Sequence, residues 1–187
     1  MNKPNEIKTA YRDRLLHLRK NIANETTAQW LEQIETRLLS VVENQPTFKV
    51  IAGYTPIKGE IDALFIMRRL HQMGRKLALP KVNGDHLEFL YWQPGETLMS
   101  GKFGIKEPLP KALPATPNMI IVPIVGFDRE CHRIGYGGGY YDRIGLRYPN
   151  AKRIGLAYEV QMVPEVPREA WDMQLDMIIT ENEIITS

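Results

Sequence analysis

The chain has 187 residues, 43% of them hydrophobic and 25% charged. That suits one domain of ordinary size over residues 1–187 and excludes a disordered, collagen-like or disulfide-stapled chain. Lys and Arg number 24 against 22 Asp and Glu, a net charge of +2, so the bulk charge points neither to nucleic acid nor to an anionic membrane and any anion site is local.

Ile7, Tyr11, Leu15, Leu18 and Ile22 recur at spacings of three and four, which predicts an amphipathic helix over 7–22. At about 100° per residue, Lys8, Arg12 and Arg19 fall within roughly 40° of one another beside the apolar stripe. They are either a solvated helix face or a basic edge turned toward a ligand. A second helix is expected from the capping box Thr26-Thr27-Ala28-Gln29 through Trp30, Ile34, Leu38 and Val41, stopping near Asn44 ahead of Pro46. Phe48 to Tyr54 is a short β-rich run. It leads through Thr55-Pro56-Ile57-Lys58-Gly59 into a helical pattern from Glu60 to Met73, closed by Gly74.

Lys76 to Pro80 and His86 to Trp92 pattern as strands around the turn Asn83-Gly84, and the Pro-, Gly- and Lys-rich stretch 94–117 is expected to run over the surface. Met119 to Phe127 is the strongest strand, apolar on both faces. A glycine-rich loop follows, then a helix from Tyr140 to Arg147 and strands from Arg153 to Tyr158 and Met177 to Thr180. Strands alternating with helices predict an α/β fold, a mainly parallel sheet sandwiched by helices.

The single Cys131 excludes an internal disulfide, and with no histidine arrangement to assist it the thiol has no nucleophile's setting. The residues after Met1, with Lys3, Glu6, Lys8 and Arg12, form no apolar leader. The longest apolar run, Met119 to Val125, falls far short of the roughly 20 residues a membrane helix needs. The expected location is the cytoplasm, with no membrane partner. His17, His71, His86 and His132 lack zinc-site spacing.

In open α/β sheets ligands bind beyond the carboxyl ends of the strands, which directs attention to the loops after Tyr54 and Phe127. The second reads Arg133-Ile134-Gly135-Tyr136-Gly137-Gly138-Gly139-Tyr140-Tyr141-Asp142-Arg143, four glycines in five positions ahead of a helix. Glycines let backbone N–H groups approach an anion, and a helix amino terminus adds its dipole. The loop is neither a Gly-Lys-Ser/Thr nucleotide loop nor a dinucleotide fingerprint, because Tyr140 takes the place of the third glycine. A flexible glycine turn is the alternative; Arg133, the tyrosines and Asp142 favour a phosphate cradle, since nucleotide sites use cations for phosphate and a carboxylate for Mg²⁺. Glu60 in the first loop is either a helix-terminus carboxylate or an acceptor of two parallel hydrogen bonds from an amidine-like edge such as that of a pterin.

These residues, together with Lys8-x-x-x-Arg12, Tyr54-x-Pro56-x-Lys58-Gly59-Glu60-Ile61-Asp62, Gly104-Ile105-x-Glu107-Pro108, Val122-Pro123 through Phe127-Asp128 and Leu175-Asp176-x-Ile178-Ile179-Thr180-Glu181, resemble the 5-formyltetrahydrofolate cyclo-ligase (5,10-methenyltetrahydrofolate synthetase) family over nearly the whole chain. The resemblance implies a fold like the ribose-phosphate isomerase and CoA-transferase group. It also implies an ATP- and Mg²⁺-dependent closure of 5-formyltetrahydrofolate to 5,10-methenyltetrahydrofolate; a monomer is expected. Carried onto matching positions, Lys8, Arg12, Arg133, Gly135, Tyr136, Gly137, Gly138, Gly139, Tyr140 and Tyr141 would hold ATP, Arg133 and Tyr140 acting in catalysis. Arg12, Thr55, Glu60 and Tyr136 to Tyr140 would contact the folate, and Asp142 and Asp176 the Mg²⁺. The family often has His-Asp where this chain has Trp171-Asp172, so no role of that histidine carries over. The rivals are another enzyme of the same fold acting on a sugar phosphate or acyl-CoA, and a nucleic-acid-binding module gripping phosphates through Lys8, Arg12, Arg19 and Lys20.

Overall fold

A computed structural model describes residues 4–22 and 24–187; Met1 to Lys3 and Ala23 lie outside the described residues, and with them part of the charged amino terminus considered above. In chain order the elements are helix α1 (Pro4–Lys20), α2 (Asn24–Glu43), strand β1 (Val50–Ala52), α3 (Ala63–Gln72), β2 (Lys76–Asn83), β3 (His86–Tyr91), β4 (Leu98–Ser100), β5 (Lys106–Pro108), β6 (Met119–Pro123), β7 (Gly126–Phe127), β8 (Arg133–Ile134), α4 (Tyr140–Arg147), β9 (Lys152–Leu156), β10 (Met177–Ile179) and β11 (Ile184–Thr186).

Seven strands form the central sheet in the order β11-β10-β9-β6-β1-β2-β3. The five inner strands are parallel, with Ile51 level with Leu77 and Met119, and Ile121 level with Ile154. The edge strands β3 and β11 run antiparallel. The fold is therefore the mainly parallel α/β sheet that the alternation of elements implies. Side chains divide by the two-residue period: Ile51, Leu77, Met119 and Ile121 join α2 and α3 through Ile34, Leu38, Ile66 and Leu70 on one face. Ala52, Ala78, Ile120 and Val122 meet Phe127 and Ile144 of α4 on the other. Ile66 is fully buried; Ile66→Ala is expected to cost about 2 to 5 kcal/mol, measurable by urea unfolding.

The structure corrects several boundaries. The long strand over 119–127 divides after Pro123, which has no N–H to continue a ladder, and Gly126–Phe127 pairs instead with Arg133–Ile134 as a separate hairpin. The third helix begins at Ala63 rather than Glu60, because the Asp62 carboxylate caps it by accepting from Phe65 N–H. Helix α2 begins at Asn24, so the Thr26 capping box lies inside it. Residues 94–117 are not all surface loop: β4 and β5 form a hairpin whose Glu107 is buried and accepts from Val82 N–H. Among the described residues no helix is long and apolar enough to cross a membrane.

Candidate functional site

The loops after β1 and β6 emerge at the carboxyl edge of the parallel strands, where open α/β sheets place ligands. The first turns through Lys58 and Gly59, both left-handed with φ of 50° and 74°, and so presents Glu60. The Glu60 Oε2 accepts from Ile57 N–H at 2.8 Å, closing the turn on itself. Its other oxygen is buried without a hydrogen bond of ordinary geometry. Burial raises the Glu60 carboxyl above the usual carboxylate range, opposed by the Ile57 N–H, Arg19, Tyr136 and Lys58. Glu60 stands before the α3 cap, so a helix-terminus role falls to Asp62. What remains is a buried carboxylate whose second oxygen lacks a hydrogen bond of ordinary geometry, with the Tyr136 hydroxyl as a polar neighbour. Thr55 is buried and donates to the Lys106 carbonyl, so its hydroxyl ties the loop to β5.

The glycine loop leads from β8 into α4. Gly137 and Gly139 have φ of 92° and 65°, backbone that other residues adopt only at a cost, and Gly139 immediately precedes the first helical residue, Tyr140. The free N–H groups of that first turn and its dipole favour an anion. Arg12 reaches the loop from α1: Nε donates to the Gly135 carbonyl at 2.8 Å, and a Cβ on Gly137 would sit 3.5 Å from the guanidinium. Tyr136 accepts a 2.6 Å bond from Arg19 and lies beneath Lys58, whose Nζ is 5.4 Å from the ring centroid. Tyr140 accepts from Lys102 Nζ at 3.0 Å and meets Phe103 edge-on at 6.1 Å between centroids. Burial pushes the Tyr141 phenol up, with Glu60 adding to the effect.

Arg133 is buried and directed inward: Nη2 donates to Asp142 Oδ1 at 2.5 Å and Nη1 to the Met173 carbonyl. Asp142 Oδ1 also accepts from Met173 N–H, so this pair locks the start of α4 to residues 172–173. Lys8, also buried, pairs with Asp172 and lies 3.9 Å from Glu169. Asp176 is elsewhere. It precedes β10 at the amino-terminal edge of the sheet and accepts from Lys152 Nζ, Arg153 N–H and Arg153 Nε, which leaves it with no partner in common with Asp142. Asp172 directly precedes Met173, whose N–H donates to Asp142, and its own carboxylate accepts from Lys8 and from Glu169 N–H. Among the described residues there is no group of three or more His, Cys, Asp or Glu arranged to hold a metal.

Three groups near the loops lie outside the ligand-holding residues that the resemblance implies. Asp172 was legible only as the partner of Trp171, the position where the chain departs from the family pattern. Lys102 and Phe103 sit in a stretch patterned as loop, where the flanking Gly101 and Gly104 were the one available signal. Arg19 shares the stripe of Lys8 and Arg12, but α1 turns that stripe inward: Lys8 is 8% exposed and Arg19 4%. A face so covered offers no continuous cationic stripe to a nucleic acid backbone. Cys131 is buried with φ of 62°, and burial pushes its thiol up to about 11, an inert setting.

The family model of the 5-formyltetrahydrofolate cyclo-ligase family matches residues 4–181. The chain belongs to this family, and it is an enzyme. It is 30% identical to the 5-formyltetrahydrofolate cyclo-ligase of Haemophilus influenzae over 173 residues, 88% of this chain and 92% of that protein. The structure of the Aquifex aeolicus 5,10-methenyltetrahydrofolate synthetase superposes with a TM-score of 0.84 at 33% identity, covering 96% of this chain and 92% of that one. That of the Mycoplasma pneumoniae synthetase gives 0.77 at 26%, covering 93% and 98%. These likenesses extend over both loops and both helices that build the site.

Proposed function

We propose that the chain closes 5-formyltetrahydrofolate to 5,10-methenyltetrahydrofolate at the expense of ATP, releasing ADP and phosphate. The observation that carries this reading is the meeting, at one edge of the sheet, of a glycine loop opening a helix and a buried carboxylate with an unused acceptor oxygen, linked through Tyr136 and Arg19. A nucleotide phosphate suits the first. The donor pair of a 2-amino-pyrimidinone suits the second.

A formamide oxygen leaves poorly. In the proposed sequence it attacks the γ-phosphorus of ATP, the bond to ADP breaks, and the formyl carbon now carries phosphate. N10 of the same folate attacks that carbon, its proton departs, and the C–O bond breaks to release phosphate and the methenyl bridge. No enzyme nucleophile is needed, which agrees with the inert Cys131. The chain supplies positioning and charge neutralisation: Gly135, Gly137, Gly138 and Gly139 with the first turn of α4 for the phosphates, Arg12 from α1, and Tyr136, Tyr140 and Tyr141 for the flanking rings. Glu60 and Thr55 sit on the folate side, and Arg12 serves both. Arg133 acts by holding Asp142 and the Met173 carbonyl, and Lys8 becomes available to phosphate when it leaves Asp172.

Mg²⁺ usually keeps several waters and takes one or two carboxylates together with substrate phosphates, so Asp142, at the start of α4 beside the glycine loop, fits as one ligand, whereas Asp176 stands at the opposite edge. When bound, the ion would neutralise charge on the phosphate oxygens. Mixing the chain with 5-formyltetrahydrofolate, ATP and Mg²⁺ is expected to raise methenyl absorbance, and omitting ATP or chelating the metal to abolish the rise. Product at full rate without nucleotide would overturn phosphoryl activation.

A further inference from the structure

The Arg19 side chain makes its hydrogen bonds outside its own helix. Nε and Nη2 donate to the Lys58 carbonyl at 3.1 and 2.9 Å, Nη1 to the Ile124 carbonyl at 3.0 Å, and Nη2 also to the Tyr136 hydroxyl at 2.6 Å. These acceptors belong to three separate segments: the left-handed turn before Glu60, the chain leaving β6, and the glycine loop. All are neutral, and no acidic side chain forms an ion pair with Arg19 among the described residues. A buried cation without a counter-ion is costly unless its hydrogen bonds are complete, so its geometry is fixed by the positions of those three segments together. The stem also packs against the turn, since a Cβ on Gly59 would lie 3.8 Å from Arg19 Cγ. Glu60 and Arg19 both act on the ionisation of Tyr136, in opposite senses, so the hydroxyl stands between the folate-side carboxylate and the cation.

We propose that Arg19 is a positioning residue that couples the two ligand loops, so that nucleotide on the glycine loop, by fixing Tyr136, holds the Glu60 turn in its folate-binding arrangement, and folate does the same in return. The proposal rests on the functional reading above. A ligand that orders one loop would lower the cost of ordering the other, and the coupling must be equal in both directions.

Calorimetric titration tests it. The dissociation constant of 5-formyltetrahydrofolate is measured with and without a saturating non-hydrolysable ATP analogue, and that of the analogue with and without the folate. The native chain is expected to show tightening of about fivefold or more, the same in each direction. Tyr136→Phe removes only the hydroxyl and leaves the three carbonyl bonds of Arg19, so the fold is kept. Arg19→Lys retains the charge, but one ammonium cannot span three segments. Both variants should bind each ligand alone, Tyr136→Phe more weakly than the native chain because Tyr136 also faces the ligands, and both should show coupling of less than about twofold. Native coupling in Tyr136→Phe overturns the proposal, as does a native chain that binds both ligands independently. A native chain that takes up no 5-formyltetrahydrofolate overturns the functional reading instead, a result distinct from either.

Discussion

Gly137→Val is expected to lower turnover by about a hundredfold or more while the protein stays folded. The residue has φ of 92°, where a β-branched side chain is an outlier costing about 1 to 3 kcal/mol. The new side chain would also meet the Arg12 guanidinium, 3.5 Å from its Cβ. The loop can escape that strain by taking another path, because Gly137 is exposed and lies outside the hydrophobic clusters. The escape displaces the N–H groups that precede α4, and a displacement of about 1 Å in a positioned group is enough for a hundredfold loss. Steady-state kinetics and ATP titration should both register the change, with circular dichroism and melting temperature close to native. Kinetics like those of the native chain would leave the loop as a flexible turn.

The sheet was legible because its residues carry two messages at once. Met119 to Val122 are apolar at every position, and such a run must be covered on both faces, which a parallel sheet between helices provides; the structure buries all four. Pro123 carried the opposite message and ended the strand. The hairpin of β4 and β5 escaped notice because its strands are three residues long and its Phe103, with φ of 60°, breaks any two-residue pattern. Strand β11 is equally short. For the site, glycine spacing and an unusual carboxylate were visible because each departs from what a turn or a helix start needs. Burial of charge was not. Lys8, Arg19 and Arg133 are written as surface residues, and only tertiary packing decides that they meet Asp172, three neutral acceptors and Asp142. Asp176 shows the converse: it lies close in sequence to Asp172, but the strand it precedes carries it to the other edge of the sheet.

Glu60→Gln is expected to weaken 5-formyltetrahydrofolate by about 2 to 4 kcal/mol, roughly 30- to 800-fold, and ATP measured alone very little. The amide oxygen can still accept from Ile57 N–H, so the turn keeps its shape. The position now occupied by the free oxygen becomes an N–H donor facing the donors of the pterin edge, and the charge-assisted pair is lost. A defect in folding is separable by pH. Because burial raises the Glu60 carboxyl above its ordinary value of 4.5, the folded chain holds that proton more tightly than the unfolded one. The associated stability is fully present below 4.5 and is lost as pH rises through the raised value. The variant has no such group, so its stability should fall less than that of the native chain between pH 4.5 and neutrality, in denaturant unfolding without ligand. Equal weakening of folate and ATP would indicate a damaged fold, and unchanged folate affinity would remove Glu60 from the pterin edge. A stability profile parallel to the native one would mean that burial does not raise the carboxyl's hold on its proton, and the second oxygen would then face solvent rather than a ligand.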